Sequence, residues 1–237
     1  MMKNILFIIA SLVSLSSFCQ SKEATNYYNL GGKYYNILAS AEPKPDEMTY
    51  DEVYEKSLYY YTKAIEVDPN YERAYYFRAL LQFNFDRNYY GAISDLSRAI
   101  ELNPNDNDYF SLRAFSKQSL NDYKSAIDDY TKAISLEPLN PWHWQSRAEM
   151  KQKLRDNDGA LSDYNVSVEM GVYYDKEYKK NYDYRADMLV SRALFFYETS
   201  NLKAACKDVN KAISLGYSIN EYEKANSPIR LLLSNCN

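Results

Sequence analysis

Small residues stand on a grid that recurs about every 34 positions along this chain. Arg78-Ala79, Arg113-Ala114, Arg147-Ala148 and Arg192-Ala193 each lie in a stretch of helical periodicity. A second small residue, Ala92, Ala126, Ala160 or Ala205, follows 13, 12, 12 and 12 residues after the first Ala. A third, Ala99, Ala133, Ser167 or Ala212, comes seven residues later. Two helices approach closely only where small side chains leave room, so the grid predicts helix pairs. Turn formers separate the two helices of each pair: Asp86-Arg87-Asn88, Leu120-Asn121-Asp122, Asp156-Asn157-Asp158-Gly159 and Ser200-Asn201. Three units close alike, on Lys63-Ala64-Ile65 to Pro69, Arg98-Ala99-Ile100 to Pro104 and Lys132-Ala133-Ile134 to Pro138. Lys211-Ala212-Ile213-Ser214-Leu215 closes on Gly216 instead, and 165–171 is a degenerate copy. The pattern predicts an all-α chain of helix–turn–helix units.

A charge pattern confirms the register. Asp95, Asp129, Asp163 and Asp208 each lie three residues after the second small residue. They predict the hairpin pairs Arg78–Asp95, Arg113–Asp129, Arg147–Asp163 and Arg192–Asp208, which fix register more than they add net stability. An earlier, poorer copy carries Leu30 and Tyr60 at these two places, so both partners are missing together.

With the aromatics that open the first helices, Tyr75, Phe110 and Trp144, these positions resemble the tetratricopeptide repeat. The resemblance covers 71–216 as four repeats, at 70–104, 105–138, 139–171 and 172–217. A degenerate first repeat occupies 20–69, with Leu30-Gly31 and Tyr34 in one helix and Ser57, Tyr61 and Ala64 in the other. Gly31 and Ser57 are 26 residues apart rather than 12, so 35–49, with Pro43-Lys44-Pro45, reads as an inserted loop. A second insertion, rich in Tyr and Lys, falls near 172–181. The resemblance implies a solenoid of about five repeats wound into a superhelix. Residues 218–237 read as a C-terminal capping helix that begins at Glu221-Tyr222-Glu223-Lys224 and carries Ile229, Leu231, Leu232 and Leu233.

The resemblance also implies a concave groove lined by the first helices. Residues three before, one after and four after each first Ala share one helical stripe. They are Tyr76, Leu80 and Phe83; Ser111, Phe115 and Gln118; Gln145, Glu149 and Gln152; and Val190, Leu194 and Tyr197. This stripe is apolar at its ends and polar in its middle, and its aromatics are candidate anchors for a partner. Chaperone-binding members of the family clamp a peptide's terminal carboxylate with Lys, Asn and Arg at such places. None of those residues stands here, so the resemblance does not extend to that clamp.

Composition narrows the function classes. A net charge of −4 and pI of about 5.2 lack the basic footprint of a nucleic-acid binder. Six Gly and seven Pro argue against a turn-rich β fold. The N-terminus reads as an export signal at 1–19: Lys3, an apolar run at 5–15, then Ser17-Phe18-Cys19 before the cut. The alternative is a lipoprotein anchored through Cys19, disfavoured by the bulky Phe18 before it. Apart from that run no candidate membrane span exists, so a periplasmic or secreted chain is expected, with Cys206 and Cys236 paired and stapling the cap. The single His, His143, sits between Trp142 and Trp144, and no metal or nucleophile motif occurs. The expectation is no cofactor, no metal, no catalysis and no nucleic acid, but an exported scaffold that holds a protein or peptide in its groove. The alternatives are a glycan-binding accessory that stacks its rings on sugars, or an enzyme with an unrecognised site.

Overall fold

The structure is a computed structural model that describes residues 21–40, 48–175, 180–218 and 227–236. The signal-like segment and the residues expected to start the closing helix, 221–224, lie outside the described residues. The chain forms two compact units, 1–105 and 106–237.

Among its described residues the first unit holds four α-helices: α1 (Lys22–Ala39), α2 (Tyr50–Val67), α3 (Glu72–Leu81) and α4 (Tyr89–Leu102). They pack as consecutive pairs, α1 on α2 and α3 on α4, with α2 also against α3. The grid explains the pairing, since Ala24, Ala64, Ala74, Ala79, Ala92 and Ala99 are all fully buried at helix contacts. Gly31 is the closest approach. A Cβ there would lie 2.8 Å from two carbons of the buried Tyr61 ring, and the buried Ser57 hydroxyl donates to the Gly31 carbonyl at 3.0 Å.

Two sequence expectations change here. The stretch 35–49 is not all loop, because α1 runs through Ala39 and α2 begins at Tyr50. Tyr35 continues the buried face of α1 against Phe77 and Phe85, and a capping box between Thr49 and Glu52 starts α2. The rest of the expected loop, 41–47, lies outside the described residues. The second change follows from the 13-residue spacing between Ala79 and Ala92. The extra residue widens the end of α3 into a π-helical turn, Gln82–Asp86.

The second unit holds α5 (Asn107–Ser119), α6 (Tyr123–Leu136), α7 (Pro141–Lys153), α8 (Asn157–Glu169), α9 (Arg185–Glu198), α10 (Leu202–Ser214) and α11 (Pro228–Asn235). Helices α5/α6, α7/α8 and α9/α10 form the pairs. Side chains of Asp122, Asp156 and Asn201 cap the second helix of each pair by accepting from a backbone N–H three residues on. The preceding turns pass through left-handed Asn121, Arg155 and Ser200, at φ of 61°, 61° and 64°.

The insertion near 172–181 carries two strands that the repeat pattern did not announce, β1 (Val172–Asp175) and β2 (Lys180–Asp183). They pair antiparallel, Val172 opposite Asp183. Its β-branched and aromatic content suits a pleated ribbon. At its base the Tyr184 amide donates to the Gly171 carbonyl at 2.6 Å. Gly171 is required there, since a Cβ would sit 2.9 Å from the Arg185 backbone.

Helix α11 closes the unit. Ile229 and Leu232 enter a core with Leu189, Val190, Ala205 and Val209, and a disulfide joins Cys236 to Cys206 of α10 across a Cα separation of 5.2 Å. Among the described residues no helix is long and apolar enough to cross a membrane.

The two glycines of α1 should respond oppositely to alanine. Gly31→Ala overpacks the Tyr61 ring and should cost about 1–3 kcal/mol. At Gly32 the nearest atom to an added Cβ is the Tyr61 hydroxyl at 3.7 Å. Gly32→Ala should therefore gain about 0.5–1 kcal/mol from helix propensity. Urea unfolding of both variants checks the pair.

Candidate functional site

In the four hairpins from α3/α4 onward the first helix is fixed to its partner by a two-pronged ion pair. The guanidinium of Arg78 donates to both carboxylate oxygens of Asp95 at 2.7 Å. Arg113 holds Asp129 at 2.8 and 2.7 Å, Arg147 holds Asp163 at 2.8 Å twice, and Arg192 holds Asp208 at 2.6 and 2.9 Å. All four Asp are buried. Arg78, Arg147 and Arg192 also reach the preceding helix pair, at Thr62, Thr131 and Asn165. The opening aromatics serve these cations: Arg78 lies over Tyr75, Arg113 over Phe110 and Arg147 over Trp144, 4.9–5.8 Å from the ring centres. Sequence reasoning missed a second cation. Lys117 donates to Asp129 at 2.7 Å and Lys151 lies 2.8 Å from Asp163. The signal was a Lys four residues after each of those Arg. His143 is buried and lies 3.1 Å from the Asn107 side-chain oxygen.

With register fixed, the stripe residues can be placed. In the first unit Tyr76 packs edge-on against Phe77 at 5.2 Å, Phe83 tilts onto Tyr89 at 5.5 Å, and Leu80 is partly buried between them in sequence. In the second unit Ser111 donates to the Asp108 carbonyl at 3.1 Å. Phe115 is 43% exposed and meets Tyr130 edge-on at 5.9 Å. Gln118 accepts from the Tyr130 hydroxyl at 3.1 Å, and Gln152 from the Tyr164 hydroxyl at 2.9 Å. Burial pushes both phenols up, so they remain neutral donors. This Gln–Tyr bond recurs because Tyr130 and Tyr164 each follow the paired Asp by one residue. The corresponding places carry Phe83 with Leu96 and Tyr197 with Val209.

Val190 is corrected from lining to core. It is buried with Val209, Ile229 and Leu232, because α11 covers that end of α9. Tyr197 packs against the same core. Leu194 does so too, yet also reaches a cleft.

That cleft, of about 220 Å³, brings together stripe residues from three successive first helices: Gln118 of α5, Glu149 and Gln152 of α7, and Leu194 of α9. Ser191, Glu198 and Lys153 complete its polar wall, with Met150 and Tyr164 beneath. Gln152 also donates to Glu198 at 2.7 Å, bridging two repeats. Gln145 donates to Glu149 at 2.9 Å. Burial raises the Glu149 carboxyl above its ordinary range, and the Gln145 hydrogen bond and the Lys153 charge pull it partly back. Amides, hydroxyls and carboxylates over an apolar floor can pair with peptide N–H and C=O groups. Among the described residues no group of three or more His, Cys, Asp or Glu is placed to hold a metal ion.

Residues 109–138, which span most of α5 and α6, match the family model for the Tetratricopeptide repeat. No curated protein matches the chain. Solved structures of similar fold include MamA from Desulfovibrio magneticus RS-1, at 13% identity and a TM-score of 0.66, over 83% of this chain and 97% of that one. YrrB, described as a TPR protein with an unusual peptide-binding site, aligns at 19% identity and a TM-score of 0.61, over 83% and 88% of the two chains. The thermophilic TPR protein TTC0263 of Thermus thermophilus aligns at 13% identity and a TM-score of 0.55, over 90% and 98%.

The raised Glu149 carboxyl has a stability consequence. The folded chain keeps a proton that the unfolded chain releases first, so stability falls as pH rises from the unfolded to the folded pKa. The penalty is absent in acid below the ordinary carboxylate range and grows as the pH rises toward the raised folded pKa. Glu149→Gln should therefore raise the Tm at neutral pH, and this gain should vanish in acid; thermal melts across pH check it.

Proposed function

Taking as premise that the chain is built of tetratricopeptide repeats, we propose that it is an exported, non-catalytic scaffold holding a peptide segment of a partner protein against its first helices. The observation that carries this reading is the cleft among Gln118, Glu149, Gln152 and Leu194, shared by three consecutive repeats. Its walls are set by hydrogen bonds that already exist, such as Tyr164 to Gln152 and Gln152 to Glu198. A peptide therefore meets a preformed surface and little ordering cost falls on the scaffold. The description of YrrB as peptide-binding supports the same use of a similar fold.

Ring geometry favours peptide over sugar. Sugars stack on flat, exposed ring faces, whereas Tyr76 stands at 84° to Phe77 and Phe115 at 82° to Tyr130. Export is supported by the signal-like residues 1–19 and by the Cys206–Cys236 bridge, which suits an oxidising compartment.

Ser191→Arg places a long cation in the cleft mouth without removing a cleft hydrogen bond, since the Ser191 hydroxyl serves only the Asp187 carbonyl of its own helix. Crosslinking in the exported fraction should capture a protein with the wild type. Purified, that protein should bind the variant at least about tenfold more weakly, or about 1.4 kcal/mol. Equal binding by both would place the partner elsewhere, and capture of glycan alone would replace this reading with the sugar-binding one.

A further inference from the structure

The first unit contains a second cleft, of about 530 Å³, that shares no residue with the stripe. Leu38 near the end of α1, the first two turns of α2 and the π-helical turn after α3 enclose it. That turn exists because this repeat alone among the four carries the extra residue between its first and second small positions. It is pinned to α1 by Asn84, which donates to the Tyr35 hydroxyl at 3.2 Å, and by Phe85, edge-on to Tyr35 at 5.9 Å. π-turns of this kind concentrate at functional sites.

The lining is of two kinds. Three aromatic rings contribute: Tyr50, Tyr54 and Phe85, of which Tyr50 is 59% and Phe85 39% exposed. Three carboxylates stand among them, Asp51, Glu55 and Asp86, and none of the described lining residues is basic. The N-terminus of α2 adds about half a positive charge, which the three carboxylates outweigh. Burial, then the Asp86 and Glu55 charges, push Tyr54 up to about 12.

We propose that this cleft binds a small quaternary ammonium head group, seated against the faces of Tyr50, Tyr54 and Phe85 and balanced by Asp51, Glu55 and Asp86. Electron-rich ring faces attract cations, and desolvated alkylammonium ions gain most from them. A bare metal ion would leave the rings and Leu38 unused, and a neutral sugar, although its hydroxyls can donate to carboxylates, would leave their three negative charges unbalanced. The inference is independent of the peptide-binding reading, because the two clefts lie in different units and share no residue.

The test is calorimetric titration of the full chain with choline, with its uncharged carbon isostere 3,3-dimethylbutan-1-ol, and with methyl glucoside. Choline is expected to bind at least tenfold more tightly than either neutral probe. Glu55→Gln removes one charge on an exposed helix face, and Tyr50→Ala removes an exposed ring. Each should weaken choline at least threefold with helical content unchanged, while Ser191→Arg should leave choline binding as it is. Phosphocholine, whose phosphate meets the carboxylates, should bind more weakly than choline. No choline binding at millimolar concentration, equal binding of the isostere, preference for the glucoside, or indifference to both cleft variants would each overturn the proposal.

Discussion

The two-pronged Arg–Asp pair inside the four hairpins that follow α1/α2 is the constraint on which the rest of the repeat depends. A guanidinium fork meets a carboxylate in one orientation only, so the pair sets both the rotation and the height of one helix against the other. Desolvating such a pair offsets most of its Coulomb gain, so its value lies in register more than in net stability. Once Arg147 holds Asp163, Ala148 and Ala160 are placed at their contact, and Trp144 covers the guanidinium. The remaining donor of Arg78, Arg147 and Arg192 reaches back to a Thr or Asn of the preceding pair. The same side chain thus sets the geometry within a repeat and the contact to the one before it. The extra Lys on Asp129 and Asp163 leaves a local positive excess on the first two hairpins of the second unit.

Register then decides what the inner stripe can do. Where a repeat places Gln opposite Tyr, the pair is spent on a hydrogen bond that stiffens the hairpin and still leaves amide atoms at the cleft edge. Where it places Phe or Tyr opposite Leu or Val, the stripe turns apolar. The unit with α11 goes further and buries Val190 altogether. The stripe is therefore uneven along the chain, and polar around Glu149, where its hydrogen bonds are already in place.

Much of this was legible in the sequence, for a physical reason. Helix–helix contacts tolerate only small residues at fixed heights, so Ala79, Ala92, Ala99 and their copies record the packing directly. The one irregular spacing, 13 instead of 12, recorded the π-turn, although the pattern alone did not say where the extra residue would be absorbed. The β1–β2 ribbon was not legible, since an inserted segment answers to its own pairing and carries no repeat signal. Nor was the burial of Val190, because the register gives a residue's direction on its own helix and not whether a later element covers it. The Gln–Tyr bonds fell between these cases: both residues were in view, but only the geometry joined them.

A double-mutant cycle on Arg147 and Asp163 tests the register-setting role most directly, using Arg147→Met, Asp163→Leu and both together, followed by urea unfolding and by amide exchange along α7 and α8. Asp163→Leu alone should cost about 3–5 kcal/mol, because it strands Arg147 and Lys151 beside an apolar core. The double variant should recover at least about 2 kcal/mol of the summed losses, as expected for residues in contact, yet lose exchange protection at the α7–α8 contact. Additive losses with unchanged protection would contradict a register set by these pairs.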